Sequence, residues 1–303
     1  MSTTITEVAN ELSKSQKKIV DALTEQAPLL GIMPFESSTH RLFHSYEKLT
    51  EVTGATFGDI DAAPSTVGIE SGIYRQDLSV LSGIETAGID AVSLLGGMNA
   101  WMAKRLPLVL KKTGANVEND FYYNLFRQSA IDNGNVQQGT GTTGSCYSMT
   151  VIRFEEGTCT GLYDPEGYGD GKLLYTEKLN GGAVYPNASN QLVHGYHLRG
   201  YTGGLVADNR HTASIVNVKL VDVDDSGFDQ KIDDMIIQAR ADMGNSVIVM
   251  HPTLKSRLNY WKASKLQLGV NDNNFNRTLD AWEGVPILTS YNLSAGAEAD
   301  VVL

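Results

Sequence analysis

The sequence predicts an α+β fold. Strand-like runs gather in two regions, 38–88 and 146–223, on either side of a stretch with helical period, and a strand, helix and strand follow near the end. The strands are organised around residues 195–218, GYHLRGYTGGLVADNRHTASIVNV. Tyr196, Leu198, Tyr201 and Leu205 give the first half apolar character, and the second half, 212–218, is a β-branched run. These halves read as two strand segments joined by the turn Ala207-Asp208-Asn209, with Gly203-Gly204 marking a bend or bulge. Asp208 and Arg210 read as solvated turn residues with no catalytic duty.

In chain order, Ile5, Val8, Leu12, Ile19 and Leu23 fall at helical spacing over 4–26, with Thr3 or Thr4 as cap and Pro28 as stop. This amphipathic helix precedes the main body, docked on its own domain or on a neighbouring subunit. Strand-like pieces at 41–53 and 71–84 flank TGATFGDIDAAPSTVG, a tip with almost no bulky apolar residue. Two strands so joined make an extended hairpin, which is marginal in water by itself and is expected to be covered by another molecule.

Over 90–133 the period becomes helical. Leu94, Leu95, Met98, Trp101, Met102 and Leu106 form one stripe that Pro107 is expected to break. Val117, Phe121, Leu125, Phe126 and Ala130 form a second helix after Gly114, with Asn116, Glu118, Asn119 and Asp120 read as its capping and acidic start. Over 116–132 such a helix reaches roughly 25 Å, enough to brace a sheet. QQGTGTTGS at 137–145 reads as a flexible connection, followed by strands at 146–154 and 158–163 and turns at DPEGYGDG and Asn180-Gly181-Gly182. A helix over 228–243, a buried strand at 246–250, a helix at 252–265 and a strand at 285–290 complete the pattern. There is no internal repeat.

Composition bounds function. At 303 residues the chain is long enough for about two domains. A net charge of -11, from 35 acidic and 24 basic residues, argues against sequence-independent nucleic-acid binding, which needs clustered cations. Cys146 and Cys159 make no disulfide framework and fit a reducing cytosol. No apolar core of signal-peptide length opens the chain and no run approaches the ~20 apolar residues of a membrane span, so a soluble, cytoplasmically made protein is expected.

Chemical motifs are weak. DVDDSGFDQKID imitates half a calcium loop through Asp222, Asp224, Ser226 and Gly227, but Asp229 sits where an apolar residue belongs and Asp233 where a bidentate Glu belongs. An acidic turn capping a helix is the expectation. Gly167, Gly169 and Gly171 before Lys172 miss phosphate-loop spacing. His40 and His44 lie four apart on a strand and share no helical face for zinc. No nucleophile sits in a strand-elbow-helix context, so no catalytic, cofactor or metal residue is expected.

The order of these segments resembles the major capsid proteins of tailed bacteriophages, with the Hong Kong 97-type fold shared by encapsulins. PLLGIMPFE is similar to that family's approach to the peripheral domain, 38–88 to its extended E-loop hairpin, and the helical stretch ending in AIDNGN to its spine helix. GLYDPEG with the 195–218 stretch resembles a pattern of one branch of these coats, and VIVMHPTLKSRLNYW with WEGVPILTSYNL resembles the axial-domain strand, helix and strand.

The resemblance implies an N-terminal arm (1–30), a peripheral domain with the spine helix (31–37 and 89–221), an E-loop (38–88) and an axial domain (222–303). It implies a non-enzymatic, cofactor-free major capsid protein that forms hexamers and pentamers in an icosahedral head shell around double-stranded DNA without binding it specifically. Portal, scaffolding and cement proteins are its implied partners, the virion capsid its location and the host cytoplasm its place of assembly. The alternative is an encapsulin-like nanocompartment shell enclosing a cargo enzyme. The short start before Pro28 implies that scaffolding, if needed, is a separate protein, and residues 50–75 hold no lysine for the covalent cross-link some such coats make. Because the common form adds a long strand after the one at 285–290, residues 196–218 are expected to complete the peripheral sheet, in permuted chain order, before an axial domain begins near Asp222.

Overall fold

The computed structural model describes residues 27–57, 63, 65–94, 96–164, 174–265 and 280–302. The amphipathic helix expected over 4–26, the glycines at 167, 169 and 171, and part of the hairpin tip lie outside the described residues.

Two six-stranded sheets are held by one long helical rod. The first sheet is centred on β10 (Leu192–Val206), whose fifteen residues outlast any single partner. It pairs antiparallel with β4 (Ser79–Gly88) from Val193 to Thr202, and then with β7 (Cys159–Tyr163) from Thr202 to Val206. β1 (Phe35–Ser37) runs parallel to β7, while β8 (Tyr175–Lys178) and β9 (Tyr185–Pro186) pair with β10 opposite β4. Gly203 and Gly204 mark neither bend nor bulge, because the β7 register runs through them without a shift. They are sites of close approach: a Cβ on Gly204 would lie 2.0 Å from Leu125 Cδ2, and one on Gly203 would touch the backbone at Leu78.

The rod comprises α3 (Met98–Asp120), a π-helical segment (Phe121–Arg127) and α4 (Gln128–Asp132) without interruption. At ~1.5 Å per residue it is about 50 Å long, not the roughly 25 Å helix expected. Pro107 does not break it. Losing one backbone bond there costs roughly 3 kcal/mol, and this is offset by anchors on both sides: Trp101, Met102 and Leu106 pack with Tyr196 and Leu198 of β10, and Phe121, Tyr122 and Phe126 are buried farther on. Short helices α1 (Pro28–Ile32) and α2 (Ile89–Leu94) precede the rod.

The second sheet has the order β13-β14-β12-β6-β11-β5. β6 (Tyr147–Arg153) lies antiparallel to both β11 (Thr212–Val218) and β12 (Ser246–Met250), β14 (Val285–Thr289) runs parallel to β12, and β5 (Val136–Gln138) runs parallel to β11. β13 (Ala281–Trp282) closes the edge. This sheet is covered on both faces, which is why β12 reads as a continuous apolar run. Met149, Val151, Ile248 and Met250 face α5 (Phe228–Gln238) and α6 (Pro252–Lys265), whereas Ile152, Val247 and Val249 face Phe121, Tyr122 and Phe126 of the rod.

Several expectations are corrected here. The two halves of the 195–218 stretch do not act together: β10 completes the first sheet, but β11 joins the second, between β6 and β5. The strand expected at 71–84 is two strands, β3 (Gly68–Asp77) and β4, divided at the buried Leu78. Residues 137–145 are not a free connection, since Gly139 and Gly141 donate backbone hydrogen bonds to Val216 and Asn217 at 2.8 and 2.6 Å. A Cβ on Gly139 would lie 2.4 Å from the Asn217 carbonyl oxygen. Gly139→Ala is therefore expected to cost roughly 1–3 kcal/mol in thermal unfolding followed by circular dichroism, whereas Gly83→Ala, whose methyl would meet open space, should change stability by no more than about 0.5 kcal/mol.

Candidate assembly surfaces

β2 (Phe43–Thr53) and β3 form a two-stranded ladder that pairs with neither large sheet. Its base is fixed. Leu78 donates to the Leu42 carbonyl at 2.9 Å, and Tyr46 packs on Leu78, Leu162, Tyr201 and Leu205. Beyond the base the ladder is in water. Directly paired residues share a face, and Val52 pairs with Ile69, Leu49 with Ser71, and Glu47 with Ile73. One face thus carries Leu49, Val52, Ile69 and Ile73, between 58% and 84% exposed. Glu51 stands directly opposite Glu70, two like charges across the ladder, and this opposes pairing. The apolar load therefore lies in the strands, with the exposed Phe57 and Val67 toward the tip.

A second unpartnered feature adjoins the first. β4 pairs only with β10, so among the described residues its other edge leaves a row of backbone donors and acceptors open. Val80 and Ile84 are exposed on this strand.

A third feature faces inward. Residues 290–302 form a strap without regular structure, apart from an isolated bridge at Glu298 to Cys146. Polar bonds tie it down. Glu118, mid-rod and fully buried, accepts from the Ser290 hydroxyl at 2.9 Å, from Asn292 Nδ2, and from the Leu29 backbone N–H at 2.8 Å. Asn119 donates to the Asn292 carbonyl at 2.7 Å, and Ser294 N–H donates to the Tyr123 hydroxyl at 2.9 Å. Glu298 accepts from Tyr123 and the Ser148 amide and pairs with Arg127 at 3.1 Å. Asn217 exchanges two bonds with Val301. Burial pushes the pKa of Glu118 up, against the lowering by Asn292, Leu29 and Ser290; burial also raises Glu298, against Ser148, Tyr123 and Arg127.

Glu118 is thus not part of a helix start. Its neighbours three and four positions away are Gly114, Ala115, Phe121 and Tyr122, which places a carboxylate on the apolar stripe. That mismatch was readable in the sequence. Glu298 carries no comparable periodic signal.

The acidic run at 222–233 spends its carboxylates separately. Asp222 accepts from the Thr140 hydroxyl and amide and from the Lys219 amide, which together outweigh burial and lower its pKa. Asp224 pairs with Arg257, Asp229 accepts from the Gln230 amide at 3.1 Å, and Asp233 accepts from Trp282 Nε1 at 2.7 Å. Ser226 and Gly227 precede α5 in the turn. Among the described residues no group of three or more His, Cys, Asp or Glu side chains is placed to hold a metal ion. The His40 ring lies on Phe43 at 4.4 Å while His44 stacks with Tyr46 at 6.4 Å. Asp208 and Arg210 pair with each other in the turn between β10 and β11. Cys146 and Cys159 are free and buried.

No protein-family profile matches this chain, and no curated protein matches it in sequence. Solved structures do. A chain in the cryo-EM structure of bacteriophage Epsilon15 superposes with a TM-score of 0.59 at 12% identity, covering 89% of this chain and 88% of that one. The capsid of bacteriophage JBD30 superposes with a TM-score of 0.54 at 14% identity, covering 92% and 95%. The chain has the capsid-subunit fold of the Hong Kong 97 type. The SrpI encapsulin complex of Synechococcus elongatus PCC 7942 aligns over 64% of this chain and 88% of that one, with a TM-score of 0.46 and 11% identity.

Within this capsid fold the hairpin strands bury little of their own, and their substitution should leave the subunit intact. Replacing Ile69 and Ile73 together by Thr is expected to shift subunit stability by less than about 0.5 kcal/mol in urea unfolding, while lowering the fluorescence of a bound hydrophobic dye. A cooperative loss of stability would show that the face is covered within the subunit.

Proposed function

We propose that this chain is the major capsid protein of a tailed bacteriophage and assembles with copies of itself into the icosahedral head shell that encloses the genome. The hairpin is the observation that carries this reading. A two-stranded ladder is marginal in water, and this one adds an exposed apolar face and opposed glutamates, so its stable state is one in which a neighbouring subunit covers it. The open edge of β4 lies in the same region and offers a second line of contact.

The fold shared with the JBD30 capsid supports this reading, and so does charge. A wall with net charge -11 holds packaged double-stranded DNA without specific binding, because like charge keeps the duplex from adhering. The work of the protein on this reading is to bury surface in hexamers and pentamers, without catalysis or cofactor, beside portal, scaffolding and cement proteins. Assembly takes place in the host cytoplasm and the product is the virion capsid.

Electron microscopy of the purified full chain tests the reading. Closed shells are expected, and deletion of residues 54–65 is expected to leave folded, soluble subunits that form none. Shells filled with a protein cargo would point to a nanocompartment instead, and unaltered shells from the deletion would remove the hairpin from the assembly contact.

A further inference from the structure

Glu118 differs from every other buried acid that the strap touches. Its two oxygens accept from three neutral donors, the Leu29 N–H, the Ser290 hydroxyl and the Asn292 amide, and its carboxyl group has no exposed surface. Neither α1 nor the strap brings a charged side chain to it among the described residues. The titratable groups one turn farther along the rod are committed elsewhere, Tyr122 to Ser148 and Tyr123 to Glu298. Glu298 has Arg127 as countercharge, with Tyr122, Tyr123, Cys146 and Asp300 around it. An ionised carboxylate buried without a countercharge is costly even when hydrogen-bonded.

The partners of Glu118 are also able to change role. A hydroxyl both donates and accepts, and a primary amide can turn to present its oxygen. Only the Leu29 N–H is an obligatory donor. A neutral Glu118 can therefore keep the Leu29 bond through one oxygen and donate its own proton to Ser290 Oγ or to Asn292 Oδ1. The ionised form needs both partners as donors and leaves a charge in an apolar setting beside Leu29 and Leu293.

We propose that Glu118 is a proton-operated latch, which in acid clamps both the Leu29 segment and the 290–302 strap to the rod and in alkali lets the strap go. Burial holds the carboxyl of the closed state above its ordinary value, against the lowering by its three donors. The stabilisation is then complete below the ordinary carboxylate range and is lost as pH rises through the closed-state value, where release relieves the buried charge. The latch belongs to the single subunit and does not depend on shell formation.

Amide hydrogen exchange of the full chain, followed by mass spectrometry from acid to mildly alkaline pH and corrected for the intrinsic rate, tests it. In the wild type, protection of residues 290–302 should fall with pH, by at most about tenfold per pH unit for a single proton, while β6 and β12 hold theirs. Glu118→Gln should keep its strap protection at all pH values, close to the wild-type level in acid. Glu298→Gln, which strands Arg127, should lower protection of the strap at every pH. A pH-independent wild-type strap, or an unchanged slope in Glu118→Gln, overturns the proposal. Should Glu118→Gln fail to fold, infrared titration of Glu298→Gln, which removes the other carboxyl that burial raises, decides: a protonated carboxyl band persisting above the ordinary carboxylate range is expected, and its absence overturns the latch.

Discussion

Everything in this subunit hangs on the packing of one helix between two sheets. The rod meets the first sheet through Trp101, whose ring lies 5.4 Å from that of Tyr196, and the second through Phe126, set edge-on to Phe154 at 6.2 Å. Each sheet has one buried cluster that the rod completes. One face of the second sheet is already filled by α5 and α6, and the other, with Ile152, Val247 and Val249, needs Phe121, Tyr122 and Phe126. The wider π-helical turn falls on these aromatic residues, where the rod carries its bulkiest load. The same dependence explains why Pro107 is tolerated: the rod is held by tertiary contacts along its length, and one lost backbone bond is small beside them.

The polar interior serves a different purpose. The strap at 290–302 buries little apolar side chain beyond Leu293, so it cannot be held as the sheets are. Instead Glu118 of the rod accepts from Ser290 and Asn292, the strap's own Glu298 accepts from Tyr123 and Ser148, and Asn217 secures Val301. Buried polar attachment of this kind is specific in position and sensitive to charge. The hairpin is the reverse case, with its apolar groups outside and only its base tied to the body. One subunit thus contains a segment completed internally by hydrogen bonds and a segment that its own chain does not complete.

Local patterns were legible in the sequence and long-range ones were not. The buried strand at 246–250 and the helix at 252–265 match the structure to the residue, because a saturated apolar run followed by Pro252 leaves little choice. The hairpin was visible in its polar tip. Periodicity could not say that β10 and β11, only a turn apart, join different sheets, since pairing partners sit far away in sequence. It also misread glycines. Gly203 and Gly204 looked like a bulge and Gly139 and Gly141 like slack, when Gly204, Gly139 and Gly141 each mark a place where another chain segment comes too near for a side chain. The helix stop at Pro107 and the helix start at Glu118 failed for one reason: local propensity was overridden by burial on both flanks.

The central claim is that the β2–β3 ladder is left incomplete by its own chain and is completed by another copy. Comparing amide hydrogen exchange of residues 43–53 and 68–77 in dispersed subunits and in assembled particles tests it directly. The account predicts fast exchange beyond the Tyr46 end of the hairpin in the dispersed subunit, with strong protection of the same amides after assembly. Slow exchange in the dispersed subunit, or no change on assembly, would contradict it.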